Sequence, residues 1–341
     1  MSQQATVETT LRIPAADGYP LFARQWSAEK PGLVNIAPVV VINAATSVDS
    51  RYYSRFAAWL NARGMHVITY DYRGIGGSRP ASLRGFDANW LDWGRLDCEA
   101  ILQYARRRFP RSPIHVAAHS IGGFILGLAP SSHLIRRVFS MGAQFAHWRD
   151  YAPNQRLGML WRWHVVMPLL THALGYFPGK RLGWLEDTPK GVVQDWTHRS
   201  PRFEDAFIAG SRRLPDAERQ QIAQSFSRLT ADTLALSITD DPFGTVSAIQ
   251  RQLAYFSNAR KIHIHLAPRA IGEPSIGHFA FFNDRYKESL WHLPLLWLRD
   301  GTLADDLAYE TVPTGRTAGN TRGRRGHGET VSRPESVAQL W

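Results

Sequence analysis

The chain has 341 residues, 44% of them hydrophobic, with a formal net charge of +11 and one cysteine, Cys98. That length can bury one large core, or one core carrying an inserted subdomain. A lone cysteine excludes an internal disulfide and a thiolate metal cluster; no metal and no cofactor are expected. No stretch reaches about 18 uncharged apolar residues, so no integral membrane segment is expected. The start, MSQQATVETT, lacks the basic and apolar regions of a secretory signal, and a cytoplasmic enzyme fits these absences. The basic excess could attract nucleic acid, yet no motif for it is present, and no nucleic-acid partner is expected.

In chain order, residues 11–14 and 21–26 read as a hairpin about Asp17-Gly18. Residues 38–43, PVVVIN, form a continuous apolar run, as in a central strand covered on both faces. A helix is expected over 51–62, with Tyr53, Phe56, Ala57 and Leu60 on one face. A strand follows over 66–70. Residues 71–78, DYRGIGGS, hold three glycines in four positions. They sit too late after the strand, and open no helix, so they do not make a dinucleotide fingerprint. A tight turn fixed by Asp71 and Arg73 is expected instead. Residues 90–109 read as a helix whose acids (Asp92, Asp97) lie near its start and whose arginines (Arg106, Arg107, Arg108) lie at its end, as the helix dipole favours.

Residues 114–123, IHVAAHSIGG, organise the rest. Ile114, Val116 and Ala118 alternate as a strand, the chain turns at His119-Ser120-Ile121, and an apolar helix follows. A strand, an abrupt turn bearing a serine and a helix make a nucleophile elbow. Such a turn crowds the residues two before and two after the serine, here Ala118 and Gly122, so both must be small.

Residues 137–142 are the next strand. The rhythm then breaks over 144–214, where Trp148, Trp161, Trp163, Trp184 and Trp196 fall among five prolines. This segment is expected to be a helical cap. Strand and helix alternate again over 215–300, with strands at 233–239 and 262–266 and a final helix over 284–298. Residues 301–341 read as a flexible basic tail. The expected division is therefore a core at 1–143 and 215–300, a cap at 144–214 and the tail. Alternation with short links argues for a mostly parallel sheet with helices on both faces.

A serine hydroxyl needs a base to attack a carbonyl. Among thirteen histidines, His278 is the best placed, in a polar turn after the last core strand. His119 should be aimed away by the elbow, and His263 and His265 read as structural. The base in turn needs a carboxylate to hold its tautomer. Asp241, at the end of strand 233–239, is the first choice, and Asp240 stays open as an alternative. The order serine, acid, histidine is that of the α/β-hydrolase fold. An oxyanion hole is expected from the N–H groups of Ile121 and Ala45.

Taken together, NAAT at 43–46, TYDYRGIGGSRP at 69–80, DWGRLD at 92–97, AHSIGG at 118–123, TDDPFGT at 239–245 and GHFAFF at 277–282 resemble α/β hydrolases related to the serine aminopeptidase and monoacylglycerol lipase-like group. The resemblance spans residues 7–300. It implies an eight-stranded sheet with a cap inserted after the sixth strand, and Ser120, Asp241 and His278 as nucleophile, acid and base. Two positions depart from the group: Asn43-Ala44 replaces the common His-Gly, and Ala118 replaces the first glycine of the elbow. The expected function is hydrolysis of a carboxylic ester or related acyl bond of an apolar small molecule through an acyl-enzyme. A serine-dependent acyltransferase or cyclising enzyme, and a non-catalytic binding scaffold, are the alternatives. A homo-oligomer is compatible with the sequence.

Overall fold

The computed structural model describes residues 8–28, 36–208 and 212–314. Its strands are β1 (Glu8–Pro14), β2 (Pro20–Trp26), β3 (Val39–Asn43), β4 (His66–Tyr70), β5 (Ile114–His119), β6 (Ile135–Met141), β7 (Tyr176–Phe177), β8 (Thr188–Pro189), β9 (Asp232–Ile238), β10 (Lys261–Leu266) and β11 (Glu310–Val312). Nine of them form one sheet in the order β1-β2-β4-β3-β5-β6-β9-β10-β11. The run from β4 to β10 is parallel, while β1, β2 and β11 add antiparallel edges. All five residues of β3 and all six of β5 are buried. Successive side chains point to opposite faces, so both faces of the sheet are covered. Phe56 and Trp59 of helix Ser54–Asn61 pack on Trp291, the N-cap residue of helix His292–Asp300, with ring centroids 5.1 and 5.5 Å apart.

The sheet has nine strands, not eight. The ninth, β11, comes from residues assigned above to the tail. It pairs with β10, and Thr314 Oγ1 donates to Lys261 O at 3.1 Å. A three-residue edge strand has too few residues for a period to show in sequence. The rest of the expected tail, 315–341, lies outside the described residues. The final helix also begins later than expected, at His292. Pro294 lacks an N–H and its ring excludes a helical carbonyl four residues earlier, so the helix cannot extend back to 284.

Helix 90–108 opens with a capping box between Asn89 and Asp92 and is widened by a π turn at Trp93–Cys98. Asp97 does not serve the helix end. It is fully buried, and its two oxygens accept from Arg73 N and Nε at 2.8 and 2.7 Å. Arg73 also reaches Asp17 at 2.7 Å. Asp71 accepts from Ser50 N and Gly77 N, both at 2.7 Å. The glycine-rich turn is thus held by hydrogen bonds to the side chains of Asp71 and Arg73, the two residues expected to fix it.

Between β6 and β9 the chain leaves the main sheet. Short helices and the β7–β8 ribbon fill this insertion. It touches the loops at the carboxyl ends of the parallel strands. Glu186 N donates to Ser47 O at 2.9 Å, just after β3, and Ala152 N to Pro242 O at 3.0 Å, just after β9.

Candidate active site

Strand β5 ends at His119, and Ser120 takes φ +53°. A non-glycine residue in the left-handed region is strained, and persists only where its surroundings fix it. Here Ser120 N donates to Met141 O at 3.0 Å, anchoring the turn to β6. The crowding at the elbow has a different source from the one expected. A Cβ on Gly122 would lie 2.5 Å from Asn43 O and 2.7 Å from Ala44 O, so the β3 loop is what excludes a side chain there. Ala118 does not crowd the glycines that follow: a Cβ on Gly123 would lie an ordinary 3.7 Å from the Ala118 methyl but 2.5 Å from that of Ala143. Asn43 ties the two loops together: its Nδ2 donates to Gly122 O at 3.1 Å and its Oδ1 accepts from Tyr70 Oη at 3.0 Å.

The structure brings Asp241, not Asp240, to the imidazole. Asp241 Oδ2 lies 2.7 Å from His278 Nδ1, and Oδ1 accepts from Phe243 N and Gly244 N at 2.8 Å each. Both residues are buried. A carboxylate at Nδ1 fixes the proton there and leaves Nε2 free to act as a base. Asp240 holds the loop that carries His278, accepting from Ser275 Oγ, Ile276 N and Gly277 N at 2.7, 2.9 and 3.0 Å. Gly142, at φ +58°, lets the pair approach the end of β6: a Cβ there would be 2.8 Å from Asp241 Oδ2 and 3.0 Å from His278 Nδ1. Because Ser120 is bonded to the residue preceding Gly142, serine and imidazole lie beside the same strand end.

Among the described residues, Ser120 Oγ makes no hydrogen bond to His278. Its partner is Gln144 Nε2, at 3.3 Å. Hydrogen bonds of a catalytic site are often long until substrate is bound. Ile121 N–H has no acceptor among the described residues, as an oxyanion donor requires. Ala45 N–H, expected as the second donor, is engaged instead: it donates to Tyr53 Oη at 2.9 Å.

That bond belongs to a buried relay which sequence reasoning did not find. Tyr53 Oη lies 2.8 Å from His119 Nδ1, and His119 Nε2 lies 2.9 Å from His278 O. A carbonyl only accepts, so His119 carries its proton on Nε2 and Nδ1 accepts from Tyr53. Burial, with His278 nearby, holds the His119 pKa well below its ordinary value, so the ring stays neutral. His119 is turned away from the serine hydroxyl, as expected, and its structural work is to hold the backbone of His278. Tyr53 had read only as part of an apolar helix face. Gln144 had read only as the first residue of the insertion. Its signal was position, three residues past the carboxyl end of β6 at Met141, where ligands bind in open α/β sheets.

His263 and His265 both bond Ser237 Oγ, at 2.8 and 2.7 Å. The tryptophans of the insertion behave unequally. Trp161 is exposed, but Trp163 packs on Trp184 and Trp196 with ring centroids 5.6 and 5.2 Å apart. Trp163 also lies 6.0 Å from Phe243, whose ring is 5.0 Å from that of His278. An aromatic chain therefore runs from the insertion to the imidazole. Among the described residues, no three His, Cys, Asp or Glu side chains converge to hold a metal, and no helix is long and apolar enough to cross a membrane.

A parallel sheet covered on both faces, with a strained serine elbow and a buried His–Asp pair at the strands' carboxyl ends, defines the class as an α/β-hydrolase architecture. Residues 37–273 match the family model described as the alpha/beta hydrolase fold, and the chain belongs to that family. Comparison with curated protein sequences yields no match. Among solved structures, it is similar to a puromycin-hydrolyzing peptidase of Mycobacterium tuberculosis at 15% identity and TM-score 0.50. That likeness covers 85% of this chain but only 38% of the peptidase. An esterase of Pyrococcus furiosus shares 13% identity over 88% of this chain and 95% of its own, with TM-score 0.51. A monoacylglycerol lipase of Paleococcus ferrophilus shares 14% identity over 82% of this chain and 98% of its own, also with TM-score 0.51. At these identities the likeness is one of fold.

Proposed function

We propose that this protein is a serine hydrolase that cleaves a carboxylic ester of an apolar small molecule through an acyl-enzyme. The observation that carries the reading is the buried Asp241–His278 contact of 2.7 Å beside a serine at φ +53°. In this reading Ser120 Oγ attacks the ester carbonyl while His278 Nε2 takes its proton. Asp241 stabilises the resulting imidazolium. Negative charge on the carbonyl oxygen meets Ile121 N–H, which is already oriented and has no other acceptor to leave. His278 returns the proton to the departing alkoxide. Water then enters, His278 removes its proton, and the acid is released as Ser120 regains its hydrogen.

The insertion serves as the cap. Its contacts with Ser47 and Pro242 and its aromatic chain through Phe243 support an apolar substrate held over the elbow. The esterase and lipase similarities agree with this chemistry without specifying a substrate.

The test is labelling by a fluorophosphonate, with Ser120→Ala and His278→Ala. Wild type is expected to be labelled at Ser120, and each variant to lose labelling and ester hydrolysis by about 10⁴-fold or more. Labelling that persists in Ser120→Ala would overturn the nucleophile assignment.

A further inference from the structure

Gln144 is buried at the carboxyl end of β6, in the loop that leads into the insertion. Its side chain makes two hydrogen bonds of opposite sense. Oε1 accepts from Ala146 N, and Nε2 lies 3.3 Å from Ser120 Oγ. The first bond settles the orientation of the amide, because a backbone N–H can only donate. Nε2 therefore donates, and Ser120 Oγ accepts. Ala146 stands at φ +61°, a conformation alanine rarely takes. The staple from Gln144 helps to hold that turn, and the turn holds the amide against the nucleophile.

We infer that Gln144 is a positioning residue that keeps the Ser120 hydroxyl in a resting orientation, off the imidazole, until bound substrate displaces its amide. The inference rests on the serine-hydrolase reading. Two observations meet in it. The serine has a partner that is not its base, and a lone pair needed for attack is occupied by a donor. A substrate that fills the space above the elbow would remove that donor, while a small molecule that leaves room for the amide would not. The consequence is discrimination: the serine is less reactive toward small acyl compounds than toward those large enough to move Gln144.

Two variants separate this from a structural role. Gln144→Met keeps the length of the side chain and has no N–H, so labelling of Ser120 by a small fluorophosphonate should speed up about fivefold, the equivalent of one ordinary hydrogen bond. Gln144→Glu keeps an oxygen for Ala146 N–H but places a carboxylate at the serine. That carboxylate accepts the serine proton and competes with His278, so labelling at neutral pH should be about tenfold slower than wild type, and its ratio to wild type at the same pH should return toward one as the carboxyl protonates. A side chain that merely supported the loop would slow Gln144→Met, which loses the staple to Ala146 N–H, and leave Gln144→Glu, which keeps it, within twofold of wild type. Movement in the same direction, or less than twofold in either, overturns the inference. Because Gln144→Glu retains the staple, its pH-dependent loss tests the proposal even if Gln144→Met folds poorly. Labelling that persists in Ser120→Ala defeats the underlying reading, whereas Ser120 labelling that ignores both Gln144 variants defeats only this inference.

Discussion

The two ends of the parallel strands are built differently. At the amino ends a cavity of about 900 Å³ is lined by Arg63, His115, Arg136, Arg137 and their neighbours. Its size and charge suggest a site, but its polar groups are mostly committed. Arg137 donates to the carbonyls of Leu298, Arg299 and Asp300 at 3.0–3.2 Å, closing the C-terminus of the last helix. Arg63 donates to Trp59 O and lies 3.6 Å from the centre of its ring. Asp232 and Asp300 are paired with Arg260 and Arg299. Helices return antiparallel to the strands, so their negative ends collect at this edge and draw cations. At the carboxyl ends, among the described residues, one backbone donor has no acceptor and the serine hydroxyl has a single long hydrogen bond. His115 Nδ1 at the amino edge is also without a partner, so what distinguishes the carboxyl edge is a strained serine beside a buried His–Asp pair, not volume or a free polar group.

The contrast can be broken first at the acid. Asp241→Asn should lower kcat by about 10⁴-fold, because the amide no longer holds the imidazole in the tautomer with a free Nε2. Asp240→Asn, which loosens only the loop, should cost no more than about tenfold. Steady-state hydrolysis of a chromogenic ester would measure both, and equal losses would show that Asp240 shares the acid's role.

A buried histidine at the amino edge supplies the next test. Burial and the nearby Arg137 and Arg136 push the His115 pKa down to about 3. A folded value below the unfolded one, near 6.5, means that the unfolded chain binds the proton more readily. The stability due to neutral His115 is complete above pH 6.5 and is lost as pH falls toward 3. Between pH 6.5 and 5, wild type should lose about 2 kcal/mol that His115→Phe does not, at about 1.4 kcal/mol per unit. Urea unfolding at the two pH values would show it.

Tyr53→Phe removes the centre of the relay at the carboxyl edge and leaves His119 Nδ1 and Ala45 N–H without their partner. It should destabilise the fold by about 1–3 kcal/mol and lower kcat/KM by less than tenfold, since Tyr53 supports the backbone of His278 without touching substrate. Arg137→Ala should have the smallest effect. It should cost about 1 kcal/mol through the uncapped helix and leave kcat/KM unchanged. A loss of activity there would give the amino-edge cavity a functional role.

Local pattern carried the fold far. Strands β3 and β5 announced themselves as apolar runs, and the elbow was legible because strand, serine and small residues are contiguous. What pattern could not supply was choice among neighbours. Asp240 and Asp241 stand side by side after β9, and only the path of the loop at 275–278 decides that one anchors the backbone and the other the imidazole. Asp97 read as a helix-end charge because its partner, Arg73, lies across the core in another turn. Strand β11 was missed because its three residues gain their regularity from β10.

By itself, then, the sequence determined the alternation of strand and helix, the strained serine turn and the residue types able to make a base and an acid, since each depends on neighbours a few positions apart. The tertiary structure decided which carboxylate meets His278, that Ala45 N–H is engaged by Tyr53, and that Gln144 rests against Ser120. These depend on hydrogen bonds between distant segments, such as that joining His119 to His278 across 159 positions. A hydrogen bond fails within a few tenths of an ångström, and only the packed fold sets distances that closely.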